Sequence, residues 1–389
     1  MNLNNSELID YYQMYTKTKS ISIFLEKLNE SISNEKKTPV KLYFEICKNF
    51  ILKERYTEVI DLVQHILSNM NTELEYSDIC KFYELLVNCY EKIKDIQNFC
   101  KYIFILEKLS YTNGDLEILE FVYVKISEYC KCFNIYEKFI QYQNKLLSLY
   151  KKQNKIEDTI NILSNLVDYM VNTDRYDAAS KQINNLLFIA NKSNNLHAKW
   201  IAITYIGIIQ NRLGKLKESK EFHERALEIA KNIEDYSKIL RSMLNIGNIV
   251  RKNWELEEAE KIFIKIKKLA EDKKNILTEN IFLYVISGVH TNLGDIALLL
   301  GNLDNARFHI LESLKIDNKL GDYYGLENSY YSLANIYLIM NDYEKTIKYA
   351  KEGLNISEIT GDKNLLYCFY NLIYRTNLTQ LSYFQLKIN

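Results

Sequence analysis

Apolar residues recur along the chain in steps of three and four, which is the spacing of one helix face. In the segment Tyr330–Leu354 two such runs are separated by the polar pair Asn341-Asp342. The apolar positions of the two runs are Tyr330, Leu333, Ala334 and Tyr337, then Tyr343, Thr346, Ile347, Ala350 and Leu354. The pattern predicts a helix, a tight turn and a second, antiparallel helix.

The predicted helical pair recurs with a nearly fixed period. We take as its marker the large apolar residue that precedes a small or medium-sized one in the first helix. The markers are Ile46, Leu86, Ile126, Leu166, Ile206, Ile246, Leu293 and Leu333. Successive markers are 40 residues apart, except for an interval of 47 between Ile246 and Leu293. A constant period of this size predicts an all-α repeat solenoid that grows by stacking.

Small residues occupy equivalent places in both helices of the pairs. Gly207, Gly247 and Gly294 follow the marker in three first helices, where they predict a close crossing of two helix backbones. Turns are expected at Gly214-Lys215 and Gly301-Asn302, by comparison with Asn341-Asp342.

Three places depart from the period. Residues 1–38 predict a helical cap without the repeat signature, whereas residues 39–389 predict the solenoid of eight repeats and a partial ninth. The ninth begins at Asp362, with Ile373 and Tyr383 in register. The incomplete ninth repeat has two interpretations: a partner covers it, or the chain is a truncated form of a longer protein. The seven extra residues before Leu293 equal about two helical turns, so a lengthened helix is expected there.

The repeat resembles the tetratricopeptide repeat. The residues that carry the resemblance are Tyr330, Leu333, Ala334, Tyr337, Asn341, Tyr343, Thr346 and Gly353. The period is similar to the 40-residue class found in Rap-type peptide receptors and kinesin light chains. The resemblance implies a right-handed superhelical solenoid whose first helices line a concave groove, and it implies a peptide or protein partner in that groove.

The expected groove positions lie two residues after each marker. They are Lys48, Asn88, Glu128, Asp168, Ile208, Asn248, Asp295 and Asn335. A polar face on an otherwise apolar helix is typical either of a solvated groove or of amides that bond a partner's backbone. We predict a binding site that contains a cationic patch without carboxylates in the fifth and sixth repeats. The patch is formed by Asn211, Arg212, Arg241, Asn248, Arg251 and Lys252. Asp295 and Asn335 are expected to add further contacts to the bound partner. Salt bridges to neighbouring helices are the alternative explanation of the cations.

Composition and motifs exclude several function classes. The 50 basic and 50 acidic residues cancel, which argues against non-specific nucleic-acid binding. Seven irregularly spaced cysteines make a poor disulfide framework and favour a reducing compartment. The apolar stretches are too short for a membrane span, and the first residues do not resemble a secretory signal. No catalytic motif is present and the five histidines are scattered, so no metal or cofactor is expected.

The sequence therefore predicts a cytoplasmic, non-enzymatic binding protein. A bacterial receptor for an intracellular signalling peptide is the sharper form of this hypothesis. Two alternatives remain open: the sensory part of a truncated signalling enzyme of the diguanylate cyclase or kinase type, and an assembly scaffold. The pattern does not predict the partner or the oligomeric state.

Overall fold

The computed structural model describes residues 40–69, 74–133 and 135–388, and over these residues the protein is all-helical. The predicted cap at 1–38 and the side chain of Tyr383 lie outside the described residues. Contacts divide the chain into two compact units, residues 1–162 and 163–389. The predicted all-α solenoid of tetratricopeptide-like helical pairs is confirmed.

The first unit contains seven described helices, the last of which ends in the second unit. They are α1 (Val40–Leu52), α2 (Tyr56–Asn69), α3 (Tyr76–Lys92), α4 (Ile96–Asn113), α5 (Leu116–Cys132), α6 (Tyr136–Lys152) and α7 (Ile156–Asn172). Large aromatic residues fill this unit where the later repeats have small ones. Phe99 and Phe139, for example, are both buried.

The second unit continues from the end of α7 through ten further described helices. They are α8 (Tyr176–Lys192), α9 (Leu196–Arg212), α10 (Leu216–Asn232), α11 (Tyr236–Lys252), α12 (Leu256–Asp272), α13 (Glu279–Leu299), α14 (Leu303–Leu320), α15 (Tyr323–Ile339), α16 (Tyr343–Thr360) and α17 (Lys363–Ile388). The odd-numbered helices are the first helices of the pairs. Within this unit α11 packs on α13, α13 on α15 and α15 on α17, so these first helices form one row.

The turns between helices use the left-handed backbone region. Gly214, Gly301 and Asn341 have φ values of 76°, 77° and 60°, as expected at the three predicted turns. The next amide closes each turn onto the preceding helix: the backbone N–H of Asp342 donates to the carbonyl of Tyr337 at 2.9 Å.

The predicted close crossings are confirmed at the glycines of the first helices. A Cβ atom added to Gly207 would lie 2.7 Å from the ring of His223, and one added to Gly247 would lie 2.8 Å from Cζ of Phe263. At Gly294 the corresponding distance to Cδ1 of Ile310 is 2.6 Å. Each glycine therefore admits a bulky side chain from the second helix of its own pair.

The seven extra residues do not form the two added helical turns that the sequence predicted. The helix α13 has 21 residues where α11 has 17, so it gains about one turn. The other extra residues lengthen the connection between Asp272 and Glu279. Thr278 begins α13, because its hydroxyl accepts the backbone N–H of Ile281 at 3.3 Å and caps the helix.

The helix α13 is long and apolar enough to cross a membrane by length and composition alone. Half of the most apolar 18-residue stretch of this helix is buried inside the protein. Val285, Ile286, Val289 and Ile296 belong to a core shared with α11 and α12. Burial in this core accounts for the apolar residues of α13.

Candidate functional site

A cavity of about 480 Å³ opens in the second unit among three consecutive first helices, α7, α9 and α11. Its lining residues are Ser164, Asn165, Asp168, Trp200, Ile201, Thr204, Tyr205, Lys238 and Arg241. One of them, Arg241, belongs to the site predicted from the sequence. The volume lies within the range of about 300–1,000 Å³ that is usual for ligand sites.

Trp200 forms one wall of this cavity and is fixed by a hydrogen bond. Its side chain is only 5% exposed, and its Nε1–H donates to Oγ of Ser242 at 3.0 Å. The Nζ of Lys238 and the Cζ of Arg241 lie 5.5 and 5.9 Å from the indole centroid. The indole therefore positions two cations at the cavity edge through cation–π contacts.

Asp168 and Tyr205 form a second wall. The Tyr205 hydroxyl donates to Oδ1 of Asp168 at 2.8 Å. Burial raises the pKa of Tyr205, the charge and hydrogen bond of Asp168 raise this pKa further, and the charge of Arg241 opposes the shift. Thr204 also lines the cavity, and its buried Oγ1 has no partner among the described residues.

Of the two cations at the cavity, one has an ion-pair partner among the described residues and the other does not. Lys238 makes a close ion pair with Asp235 at the start of α11. The guanidinium of Arg241 is exposed and makes no ion pair within the described part of the chain. The cavity therefore presents the cation of Arg241 and the carboxylate of Asp168, which do not form an ion pair with each other.

A second group of cations lies where α9 and α11 end. Nζ of Lys252 donates to Oδ1 of Asn211 at 3.0 Å. Burial lowers the pKa of Lys252, and the nearby charges of Arg251 and Arg212 lower this pKa further. We name Arg212, Arg251 and Lys252 the cation cluster. Its charges repel one another, so an anion at this place would relieve the repulsion.

The predicted absence of carboxylates from this patch is wrong. Nη1 of Arg251 lies 2.9 Å from Oδ2 of Asp295 on α13. Burial raises the pKa of Asp295, and Arg251 opposes that shift. The alternative explanation, a salt bridge to a neighbouring helix, thus applies to Arg251, whereas Arg212 and Lys252 make no ion pair among the described residues.

Of the predicted asparagines, Asn248 has a side-chain oxygen without a partner among the described residues, whereas Asn335 bonds to its own helix. Oδ1 of Asn248 is buried and has no partner among the described residues, and the same is true of Nε of Arg251. Nδ2 of Asn335 donates to the Tyr331 carbonyl of its own helix, α15, at 2.9 Å. No described contact connects Asn335 to the cation cluster.

The sequence-based site omitted most of the cavity. Asp168 was predicted as a groove position, but Trp200, Tyr205 and Lys238 were not selected. Trp200 carried one usable signal, because the chain has only two tryptophans and the other, Trp254, is 71% exposed. Over the described residues no group of three or more His, Cys, Asp or Glu side chains is arranged to hold a metal ion.

Comparisons with known proteins agree with the fold. Residues 286–359 match the tetratricopeptide repeat family model. No curated protein matches the sequence. The apo form of the quorum sensor NprR from B. thuringiensis superposes with a TM-score of 0.55 at 14% identity, covering 90% of this chain and 97% of that one. The apo form of RapI gives 0.54 at 16% identity, covering 72% and 98%.

NprR has also been solved in complex with its cognate peptide NprX, and that structure gives a TM-score of 0.42 at 13% identity, covering 96% of this chain and 98% of the other. Identities this low establish the fold and no more. The family match shows tetratricopeptide repeats at residues 286–359, and the described helices on either side of that segment continue the same arrangement of helical pairs.

Proposed function

We propose that the protein is a non-enzymatic receptor that binds a peptide, or an extended segment of a partner protein, along the first helices α7, α9, α11 and α13. The observation that carries the proposal is the cavity of about 480 Å³, which receives side chains from three consecutive first helices. A cavity of this size accommodates one large side chain of a bound chain together with its flanking backbone.

The polar atoms around the cavity support this proposal. A peptide presents backbone N–H and C=O groups that must be satisfied when they leave water. Thr204 lines the cavity and Asn248 lies seven residues after Arg241 on α11, and each has a buried oxygen without a partner among the described residues. Arg241 adds a charge that is held in place by Trp200. The site thus offers anchors of several kinds, as expected for peptide recognition.

The finer proposal is a cytoplasmic receptor for a signalling peptide. It is supported by the fold shared with NprR, which is a quorum sensor and has a cognate peptide. The buried free thiols of Cys47 and Cys89 are compatible with a reducing compartment.

A peptide selection on the full chain tests the proposal. A randomised phage-displayed heptapeptide library is panned on wild type, and enriched peptides are synthesised with a fluorophore for anisotropy. Asn165→Trp fills the cavity from an exposed lining position. The matched control Asn184→Trp places the same side chain on an exposed position of α8, which does not line the cavity.

We expect enriched peptides to bind wild type and the control, and to lose at least about tenfold in affinity for Asn165→Trp, which corresponds to about 1.4 kcal/mol. A selection that enriches no peptide, or peptides that bind all three proteins equally, would contradict the proposal.

A further inference from the structure

We propose, building on the function above, that the bound chain is acidic and carries two anionic groups about five residues apart. Arg241 would hold one anion and the cation cluster would hold the other. The inference concerns the chemistry of the ligand, whereas the proposed function requires only that some peptide binds.

The two cationic anchors lie on one stripe of α11. Asn248 and Lys252 follow Arg241 by seven and eleven residues. At 3.6 residues per turn both point within roughly 20° of the direction of Arg241. With a rise of 1.5 Å per residue, Arg241 and Lys252 are separated by roughly 16 Å along the helix axis.

Neither Arg241 nor Lys252 makes an ion pair among the described residues, and the carboxylate nearest to Arg241 on the cavity lining is that of Asp168, which accepts the Tyr205 hydroxyl. The guanidinium of Arg241 lies over the Trp200 ring. Lys252 contacts the neutral amide of Asn211 and lies close to Arg212 and Arg251. Other cations of α11 are paired, as Lys238 is with Asp235 and Arg251 is with Asp295. The stripe thus has at each end one cation without an ion pair in the described part of the chain, and the excess of positive charge is larger at the cation cluster, which favours a ligand with two negative charges.

The middle of the stripe suits a peptide backbone. Oδ1 of Asn248 is buried and unpartnered within the described part of the chain. A rotation of the partly buried Asn248 side chain would bring this acceptor to the surface, where it suits a backbone N–H of the ligand. An extended chain rises about 3.3 Å per residue, so two acidic side chains at positions i and i+5 span roughly 16 Å.

The ligand chemistry favours a peptide over a nucleic acid. Binding to a nucleic acid usually relies on many cations along the phosphate backbone and on open aromatic faces for base stacking. Here Lys238 and Arg241 lie over the Trp200 ring, and Lys238 is already paired. Two isolated anchors separated by an amide match two carboxylates on one peptide.

Synthetic peptides of defined spacing test the inference directly. Fluorescein-labelled decapeptides of Gly, Ser and Ala carry two Asp residues at i,i+2, at i,i+5 or at i,i+8, and a fourth carries one Asp. Binding to the full chain is followed by anisotropy at low and at physiological salt. We expect the i,i+5 peptide to bind about three- to fivefold more tightly than each of the others, as two exposed ion pairs allow.

Variants locate the two anions. Arg241→Ala and Lys252→Ala should each lower the affinity for the i,i+5 peptide about three- to fivefold, down to that of the single-Asp peptide. Lys217→Ala, at an exposed position of α10 outside the stripe, should leave it unchanged. The double variant Arg241→Ala, Lys252→Ala should no longer distinguish the spacings.

Three results would overturn the inference: affinities that do not depend on spacing, equal losses in Lys217→Ala, or equally tight binding of the oligonucleotide dT10, which would assign the anchors to phosphate. If none of the acidic peptides binds while peptides selected from the random library bind the cavity, the inference fails and the proposed function stands.

Discussion

Arg251 and Asp295 connect two neighbouring first helices, with Nη1 of the arginine 2.9 Å from Oδ2 of the aspartate. The two side chains are 21% and 26% exposed, so each charge has lost much of its contact with water and is stabilised by the opposite charge of the other. Burial already raises the pKa of Asp295 in the presence of Arg251. The ion pair thus couples the stacking of α11 on α13 to the electrostatics of the candidate site.

Removing Arg251 should destabilise the second unit. In Arg251→Met the carboxylate of Asp295 loses its ion-pair partner, which costs about 1–3 kcal/mol. The urea midpoint at pH 7, followed by circular dichroism, should fall accordingly. Lys319→Met is the matched control, because its ion pair with Glu279 is 62% and 71% exposed and its loss should leave the midpoint unchanged. Equal midpoints for the two variants would refute the coupling.

Neutralising Asp295 should strengthen binding of acidic ligands. Asp295→Asn releases Arg251 from its counter-ion beside Lys252, so the cation cluster gains a charge that is available to a ligand. We expect the affinity for the i,i+5 peptide to rise about threefold, with a steeper dependence on salt. A library-selected peptide without acidic residues should be unaffected. A weaker affinity for the acidic peptide would show that Asp295 itself contributes to the site.

The sequence predicted the turns and close crossings inside one helical pair, but it did not predict the side-chain contacts between neighbouring pairs. The turns at Gly214 and Asn341 and the close crossing at Gly247 follow from residues near each other in the chain. The contacts of Asp168 with Tyr205 and of Arg251 with Asp295 depend on how far one first helix is shifted along the next. Periodicity indicates which face of a helix a residue occupies, but it does not indicate that shift.

The insertion before Leu293 illustrates the same limit. A length of seven residues agrees with two helical turns, and the apolar pattern alone does not distinguish this from one turn and a longer connection. The structure has the second arrangement, in which Thr278 caps the lengthened helix α13. The carboxylate of Asp295 then faces Arg251, which the sequence had placed in a patch without carboxylates.

Gly247 and Gly288 should respond to substitution in opposite directions. A Cβ at Gly247 meets the buried Phe263 ring at 2.8 Å, so Gly247→Leu should cost about 1–3 kcal/mol through overpacking. A Cβ at Gly288 meets Leu244 at an ordinary 3.6 Å, so Gly288→Ala should gain about 0.5–1 kcal/mol of helix propensity. Urea midpoints measure both effects. A change of the same sign in the two variants would contradict the close-crossing explanation.

Asp317 should make the second unit less stable as the pH rises. Its carboxylate is buried and accepts hydrogen bonds from Ser313 and Ser329 at 3.2 and 3.1 Å, and a closer one from Ser287. Burial raises the pKa of Asp317 despite these bonds. Because the folded pKa lies above the unfolded one, the stabilisation is present at low pH and is lost as the pH rises through the folded pKa.

Asp317→Asn tests this dependence, because the amide never ionises, keeps one oxygen that accepts from the serine hydroxyls and offers an NH2 group to which the others can act as acceptors. The variant should have a higher urea midpoint than wild type at pH 7, and the difference should shrink towards pH 4. Asp317→Ala, which leaves the serine hydroxyls without this partner, should be destabilised by about 1–3 kcal/mol. A wild-type midpoint above that of Asp317→Asn at pH 7 would contradict the prediction.

His290 should have the opposite effect, destabilising the protein in acid. Its Nδ1 lies 3.1 Å from Nδ1 of His309, so the neutral pair shares one proton in a hydrogen bond. Burial lowers the pKa of His290 to about 4, with further lowering by His309 and Lys267 and a small opposing effect of Glu312. The pKa of His309 is lowered as well, by burial and then by Lys267, with Glu260 opposing.

Because the folded pKa of His290 lies below its ordinary value, the stabilisation is complete above about pH 6.5 and is lost as the pH falls towards 4. His290→Asn keeps a polar group near Nδ1 but cannot take up the proton. Relative to this variant, wild type should lose about 2 kcal/mol between pH 7 and pH 5. Urea midpoints of wild type and His290→Asn at several pH values measure this loss. The titrations of Asp317 and of the buried His223 affect both proteins equally, so they cancel when the two midpoints are subtracted. Parallel curves for the two proteins would show that the proton between His290 and His309 does not control acid stability.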